Sequence, residues 1–470
     1  MRIQKSLSNA IIYSGMLFLQ KAISFLMLPV YTAILSPGEL GIVNMVVSIG
    51  SFFILLFNYA LDEAAVRFYF ENRTNIYLSK KIVGTIVCLS LLICSIGGVT
   101  LFLFKDFIYK YFIPDISLGL IILSIIIVIT SPIFSIHQKL LRIKERAKEY
   151  VISSFSYSMM QITFTLIFVM GLGMSSFGYL LAMTITSFIA FVCSLFFIRK
   201  DVKFVIENKM AIAALKYSTP IVPHTISSWG LSNFTQVFLG RMKSSITVGV
   251  FTAMSFSGTI VQVLFMSLIN TWQPWLYAKM DNHDYLSIKK LSKVILLIFI
   301  TVGFLLSLFS KEIAMLVINS RYHSSIIIVP FIIVSNLFMV VGGLYVFVLY
   351  YEKASTKYIF YSTLAGVIVN ILLSIILIPV YGILGATIAI AIANLIISLL
   401  RQVTVSKILK QQVYTFDIYL IILLNLLASV FAIKLDFSFL FKSYMLLVDT
   451  FIIIFLYKNL LKSYINKSFN

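Results

Sequence analysis

The sequence predicts an all-α polytopic membrane protein. Three observations predict it: apolar runs of membrane-spanning length recur from end to end, charge is nearly absent inside them, and Lys and Arg gather in alternate loops. Of 470 residues, 60% are hydrophobic and 11% charged, with mean hydropathy +1.02. Soluble domains carry about 25% charged residues. A backbone surrounded by lipid must be helical or a closed barrel, because nothing else satisfies its N–H and C=O groups there. The runs are continuous rather than alternating, which excludes the barrel.

The elements follow in order. The start, Met1 to Lys5, is basic and leads into an apolar stretch with no small-residue cleavage site, so it reads as a retained first helix. Fourteen spans are predicted, at about 8–35, 41–61, 82–104, 116–137, 151–171, 177–198, 217–238, 247–270, 294–309, 325–349, 358–377, 383–400, 416–433 and 443–457. With the N-terminus inside, 28 of the 37 Lys and Arg residues fall in inner segments and 8 in outer loops. That bias predicts both termini on the cytoplasmic side. The net charge of +20 is thus read as topology, not as a nucleic-acid footprint.

The chain repeats itself. Gly41 and Gly50 match Gly249 and Gly258 at an offset of 208. Glu145 and Ala147 match Glu352 and Ala354 at 207, as do Gly178 and Ala182 with Gly385 and Ala389. A constant offset predicts two six-helix lobes in parallel repeat, residues 1–210 and 211–410, with two additional helices in 411–470. Two such lobes around a polar midline suit alternating access.

Polar residues inside spans are costly and mark candidate sites. Lys21 sits near the middle of span 1, with Ser14 and Ser24 near the same face. Span 7 holds His224, Ser228, Ser232 and Thr235 at i, i+4, i+8 and i+11, with Asn233 and Gln236 beside them. Pro220 and Pro223 should bend it. This stripe is read as a cavity wall. Arg241 and Lys243 follow it and could reach a phosphate at the outer mouth, or simply be solvated. Glu63 and Arg67, one turn apart, are expected to form a local ion pair. Asp449 is the one acid deep in a span; with His224 it is a candidate for ion coupling, and Lys442 is a possible partner. Trp272, Trp275 and Tyr277 read as an interfacial anchor. Cys88, Cys94 and Cys193 lie in apolar runs and read as small buried hydrophobes. His137, His224, His283 and His323 are too scattered to pair, and no metal-ligand spacing is present.

Three stretches carry a family resemblance: SNAIIYSGMLFLQKAISFLMLPVYTAILSPGELGIVNMV, then PIVPHTISSWGLSNF followed by GRMKSSITVGVFTAMSF, then GVIVNILLSIILIPVYGILGATIAIAIANLI. In this order they resemble the O-antigen (Wzx-type) polysaccharide biosynthesis flippases of the multidrug/oligosaccharidyl-lipid/polysaccharide exporter superfamily, over spans 1–12. The resemblance implies a V-shaped, two-lobed core with a cationic cavity. It implies transfer of an undecaprenyl-diphosphate-linked oligosaccharide, an O-antigen or capsule repeat unit, from the cytoplasmic to the periplasmic leaflet of the inner membrane. It implies no cofactor and no ATP hydrolysis, coupling to an H+ or Na+ gradient, and work beside a polysaccharide polymerase. Carried over, Lys21 and Arg241 contact the diphosphate and the span 7 stripe faces the glycan. Relatives often place an acid before the arginine; here Gly240 stands there. Fourteen spans resemble the lipid II flippases, whose extra pair helps form a groove for the lipid tail.

Competing readings are weighed by what they require. A lipid II flippase should carry several embedded arginines in its first lobe, where this chain has Lys21. A multidrug/cation antiporter should carry buried acids, and the twelve-span core has none at mid-depth. A membrane glycosyltransferase or polymerase should carry a long catalytic loop. The longest outer loop here, Ser310–Ser324, is about fifteen residues, and no phosphate loop or nucleophile elbow appears.

Overall fold

A computed structural model of the chain describes residues 2–114, 116–352, 356–409 and 416–458; Ala354, one of the repeat positions, lies outside them. The regular elements among the described residues are all helices, and the contacts divide the chain into two compact units, residues 1–249 and 250–470.

The first unit contains α1 (Arg2–Leu26), α2 (Leu28–Ile34), α3 (Pro37–Asn58), α4 (Leu61–Glu71), α5 (Ile76–Leu103), α6 (Lys105–Phe112) and α7 (Leu118–Ile143). It continues through α8 (Ala147–Thr165), α9 (Ser175–Ile198), α10 (Asn208–Ser218), α11 (Val222–Trp229) and α12 (Thr235–Met242), and ends inside α13 (Ser245–Met254). Helix starts follow local chemistry. Ser36 caps α3 in a reciprocal box with Glu39, and Pro37 occupies the first turn where its missing donor costs nothing. One end of the unit is closed by an apolar cluster that includes Leu61, Val83, Ile86, Ile133, Ile136 and Ala214. The extended stretch after α9 is laid along α5: Lys203 N–H donates to the Lys80 carbonyl at 2.9 Å and Thr85 to the Val205 carbonyl at 2.8 Å.

Within residues 1–249, α3 and the start of α13 touch backbone to backbone. A Cβ on Gly41 would fall 1.7 Å from the Ser245 carbonyl oxygen, and one on Gly249 would fall 1.8 Å from that of Pro37. Pro37 and Ser245, like Gly41 and Gly249, are 208 positions apart, so repeat-related positions meet reciprocally. Only glycine allows that approach.

The second unit contains α14 (Phe256–Asp281), α15 (Tyr285–Leu308), α16 (Ser310–Val317), α17 (Val329–Tyr351), α18 (Thr356–Tyr381), α19 (Ile383–Leu409), α20 (Asp417–Lys434) and α21 (Phe439–Leu456). Polar pairs stitch helices together within each unit. In the first, Thr130 of α7 meets Ser187 of α9 at 2.7 Å. In the second, Asn394 of α19 donates to Ser335 of α17 at 2.9 Å, and Asn394 lies 207 positions beyond Ser187. The last two helices are fastened to α15 and α16 by ion pairs: Lys293–Asp417 at 2.7 Å, Lys311–Asp436 at 2.5 Å and Lys442–Glu312 at 2.7 Å.

Several sequence expectations change. Among the described residues, twelve helices are long and apolar enough to cross a membrane, or thirteen when the pair Ser245–Met254 and Phe256–Ile269, bent by 41°, counts as one. The segment read as span 7 is not one continuous helix but α10, α11 and α12 in series. Ser310–Ser324 is mostly helical rather than loop. Arg67 pairs with Glu71 at 2.6 Å, not with Glu63, and Lys442 pairs with Glu312, not with Asp449. Trp272, read as part of an interfacial anchor, is buried within the protein, its ring 5.2 Å from that of Trp275. Of the three cysteines, Cys94 is buried, Cys88 half-buried and Cys193 exposed.

Candidate functional site

Two broken helices meet in the first unit. The first break lies between α3 and α4, where Tyr59 and Ala60 both take positive φ, 51° and 54°. Consecutive left-handed non-glycine residues are strained and need surrounding contacts to hold them. Those contacts come from the second break, at Thr219–Ile221 between α10 and α11. There Tyr59 Oη lies 3.1 Å from Thr219 Oγ1, and Ser218 donates to the Ala60 carbonyl at 3.2 Å. Pro220 and Pro223 account for this second break, as their sequence positions predict.

Beside the paired breaks opens a cavity of about 710 Å³, lined by α3, α4, α10, α11 and the turn after α11. His224, Ser228, Ser232 and Asn233 line it, with the rings of Tyr217 and Trp229 and the carboxylate of Glu63. Ser228 donates to the His224 carbonyl at 3.0 Å and Ser232 to the Ser228 carbonyl at 3.0 Å. With those protons turned back to the backbone, the hydroxyl oxygens remain as acceptors on the cavity side. Trp229 is fixed in place: its indole N–H donates to Ser51 Oγ at 2.9 Å and the Ser48 carbonyl at 3.1 Å.

Thr235 and Gln236 do not line this cavity. Residues Gly230–Phe234 form a π-helical turn, which holds more residues per turn than an α-helix and rotates everything after it. Thr235 is therefore buried, and Gln236 accepts from Ser48 Oγ at 3.2 Å. The stripe predicted at uniform α-helical spacing holds for its first three members and leaves the face at the fourth.

Lys139 was not among the residues singled out from the sequence, yet it organises the charge at the cavity edge. Its ammonium bridges Asp62 at 2.6 Å and Glu63 at 2.7 Å, while Ser135 donates to Asp62 at 2.9 Å. Buried Asp62 thus has the partners that a carboxylate in low dielectric requires. The sequence signal was the placement of Ser135 and Lys139 four apart, on one face of α7.

The two candidate cations stand elsewhere. Lys21 lies near the middle of the apolar stretch Ile12–Ile34; it is exposed and forms no ion pair or hydrogen bond among the described residues. Ser24 is exposed and Ser14 half-buried, while Gln20 ties α1 to α8 through Ser158 at 3.3 Å. Arg241 is exposed, and its guanidinium lies 5.1 Å from the centre of the Tyr111 ring of α6. Gly240 faces α3; a Cβ there would fall 2.3 Å from the Met45 thioether. An acid at that position would have to displace Met45. In the second unit Asp449 is half-buried, with one carboxylate oxygen unpaired among the described residues and Asn425 of α20 beside it. No group of three His, Cys, Asp or Glu side chains capable of holding a metal occurs among the described residues.

A family model described as polysaccharide biosynthesis protein matches residues 6–280. The lipid II flippase MurJ in an inward closed conformation is similar in structure, with TM-score 0.73 and 19% identity over 96% of this chain and 100% of that one. An inward-facing multidrug resistance MATE family transporter of the MOP superfamily has TM-score 0.67 and 14% identity, over 83% of this chain and 94% of that one. An outward-facing multidrug resistance MATE family transporter of the same superfamily has TM-score 0.54 and 14% identity, over 86% and 95%. Identities this low speak to the fold alone. Comparison with curated proteins finds no match.

Proposed function

We infer the substrate from an established premise: the chain belongs to the polysaccharide biosynthesis protein family, as its match over residues 6–280 shows. It is accordingly a multi-pass membrane translocase of the MOP superfamily rather than an enzyme. The proposed substrate is an undecaprenyl-diphosphate-linked oligosaccharide, an O-antigen or capsule unit, carried from the cytoplasmic to the periplasmic leaflet of the inner membrane. The observation that carries this reading is Lys21. An exposed cation in the middle of an apolar helix, with no ion pair among the described residues, is expensive unless it serves an anion. A diphosphate stripped of water supplies one, through charge-assisted hydrogen bonds.

The cavity beside the paired helix breaks supports the glycan half of the proposal. Its lining offers hydroxyl, amide and imidazole groups together with two aromatic rings. Sugars present hydroxyls at their rims and C–H groups on their faces, and such a wall answers both. The proposed cycle is alternating access by two six-helix lobes, 1–210 and 211–410, driven by an H+ or Na+ gradient. Asp449 and His224 are the candidate coupling groups, and Arg241 is a second diphosphate contact. The proposed architecture is fourteen spans with both termini cytoplasmic, α10–α12 forming the broken seventh span and 411–470 adding the last two. The proposed setting is beside a polysaccharide polymerase.

A second reading, a lipid II flippase, is favoured by one observation: the likeness to MurJ extends over 96% of this chain, whereas the MATE likenesses leave more of it unmatched. The same experiment separates the two. The purified protein is reconstituted in liposomes carrying either lipid-linked oligosaccharide or lipid II, and an impermeant glycan-modifying reagent reads exposure, with and without an ion gradient. Movement of the oligosaccharide carrier that weakens in Lys21→Ala supports the proposal. Movement of lipid II alone replaces it with the second reading, and movement of neither ends both.

A further inference from the structure

A second opening in the first unit has no part in the transport reading. It lies between α7, α8 and α9 and comprises two adjacent chambers. The inner chamber, about 330 Å³, is apolar, with Phe134, Tyr157, Met160 and Ala190 on its walls. Phe134 and Tyr157 stack there with centroids 4.9 Å apart. The outer chamber, about 460 Å³, is edged by Arg146, Glu149, Lys200 and Asp201. His137, Glu149 and Phe197 line both chambers. The His137 ring lies parallel to that of Phe197, and its Nδ1 is 3.1 Å from Ser194 Oγ.

We propose that this crevice binds one phospholipid whose headgroup carries both a phosphate and an ammonium. Its depth fits an acyl chain of a single leaflet. From Glu149 to Met160 along α8 is about 16 Å at the rise of an α-helix, roughly half of a ~30 Å hydrocarbon core. The charged rim stands where α7 and α9 end and α8 begins, at one end of three candidate membrane spans, and the apolar chamber extends inward from it.

The rim selects the headgroup. Asp201 is already neutralised, by Lys144 at 2.8 Å and by both Arg146 nitrogens at 3.0 and 3.4 Å. What remains is Glu149, whose one ion-pair contact among the described residues is Arg146 at 3.8 Å, and Lys200, whose ammonium has none. One anion held only by a long contact of 3.8 Å, and one cation with no ion pair among the described residues, share this rim and match an ammonium and a phosphate on one headgroup. A headgroup with a phosphate alone would satisfy Lys200 and leave Glu149 facing its negative charge. The apolar lining accounts for the tail: Ile152, Cys193 and Phe197 are exposed in the protein and would otherwise border an open groove.

The test uses the full chain in detergent, incubated with phosphatidylethanolamine and phosphatidylglycerol of matched acyl chains in equal amounts, with bound lipid counted by native mass spectrometry. Wild type should retain one phosphatidylethanolamine in preference to phosphatidylglycerol after bulk lipid is stripped. Lys200→Glu should lower that retention by about tenfold, equivalent to ~1.4 kcal/mol of affinity. Ser156→Trp, placed on the exposed wall of the inner chamber, should abolish retention of both lipids while elution volume and thermal unfolding stay those of wild type. A readout that needs no variant is the maleimide labelling rate of Cys193, which phosphatidylethanolamine should slow and phosphatidylglycerol should not. Equal retention of the two lipids, undiminished retention in folded Ser156→Trp, or a Cys193 rate indifferent to lipid would each overturn the proposal. None of these outcomes bears on transport of the oligosaccharide carrier.

Discussion

Lys21 in the first unit and Lys442 in the second both interrupt long apolar helices, and their surroundings are opposite. Lys442 is fully buried one turn into α21, with its ammonium 2.7 Å from Glu312 of α16. Lys21 is exposed near the middle of its span and meets no acid among the described residues. A buried, paired charge fastens one helix to another and has little left to offer a ligand. An exposed, unpaired one contributes nothing to the fold that a neutral residue would not, so its cost is explained by something outside the protein. The contrast separates a charge that holds structure from one that waits for substrate.

That contrast can be broken or sharpened by experiment. The largest effect is expected at the paired site. Lys442→Ala should destabilise the protein by roughly 1–3 kcal/mol, below the cost for a fully buried pair because Glu312 is about a third exposed. Thermal unfolding in detergent measures this, and Glu312→Gln added to Lys442→Met should recover most of it. Transport per folded molecule should change little. Lys21→Ala should behave inversely, with unchanged unfolding and transport lowered about tenfold, ~1.4 kcal/mol in the barrier. Lys21→Arg should keep most activity. If Lys21→Ala melts early and transports normally, the two lysines do not differ in kind and the diphosphate contact is lost.

Smaller effects probe the cavity between these extremes. Trp229→Phe removes an indole donor shared by Ser51 and the Ser48 carbonyl. A cost of about 1 kcal/mol is expected in unfolding, with a further loss of transport if the ring also faces the glycan. The smallest concerns a surface charge. A hydrogen bond from Lys279, seconded by Ser287, holds the Asp284 carboxyl down to about 2 from the ordinary 3.8. Because its folded value is depressed, its contribution to stability is present above 3.8 and is lost as pH falls toward about 2. The difference in melting temperature between wild type and Asp284→Asn should therefore be constant near neutrality and shrink over that acid window.

How far the site could be read from sequence differs from residue to residue. His224, Ser228 and Ser232 were legible because an α-helix returns to one face every three to four residues. Thr235 was not, since one π-helical turn rephases the helix and leaves no mark in the hydrophobic pattern. The break at Pro220 was legible from the missing donor. The break at Tyr59–Ala60 was not, because these residues adopt positive φ only with Ser218 and Thr219 held against them. The ion pair at Glu63 was misread in the same way. A partner one turn along the helix is visible in the chain; Lys139, seventy-six residues away, becomes a neighbour only after packing.

The sequence alone determined that this is a helical, multi-pass membrane protein. Those properties follow from short-range rules. Apolar runs long enough to span lipid must satisfy their own backbones. Tertiary structure alone decided which charges are spent within the protein and which remain available. It paired Lys139 with Asp62 and Glu63, buried Lys442 on Glu312, left Lys21 exposed, and set the loosely held Glu149 and Lys200 around one crevice. The physical reason is that the worth of a charge in low dielectric depends on what stands within a few ångströms of it, and residues far apart in the chain supply those neighbours.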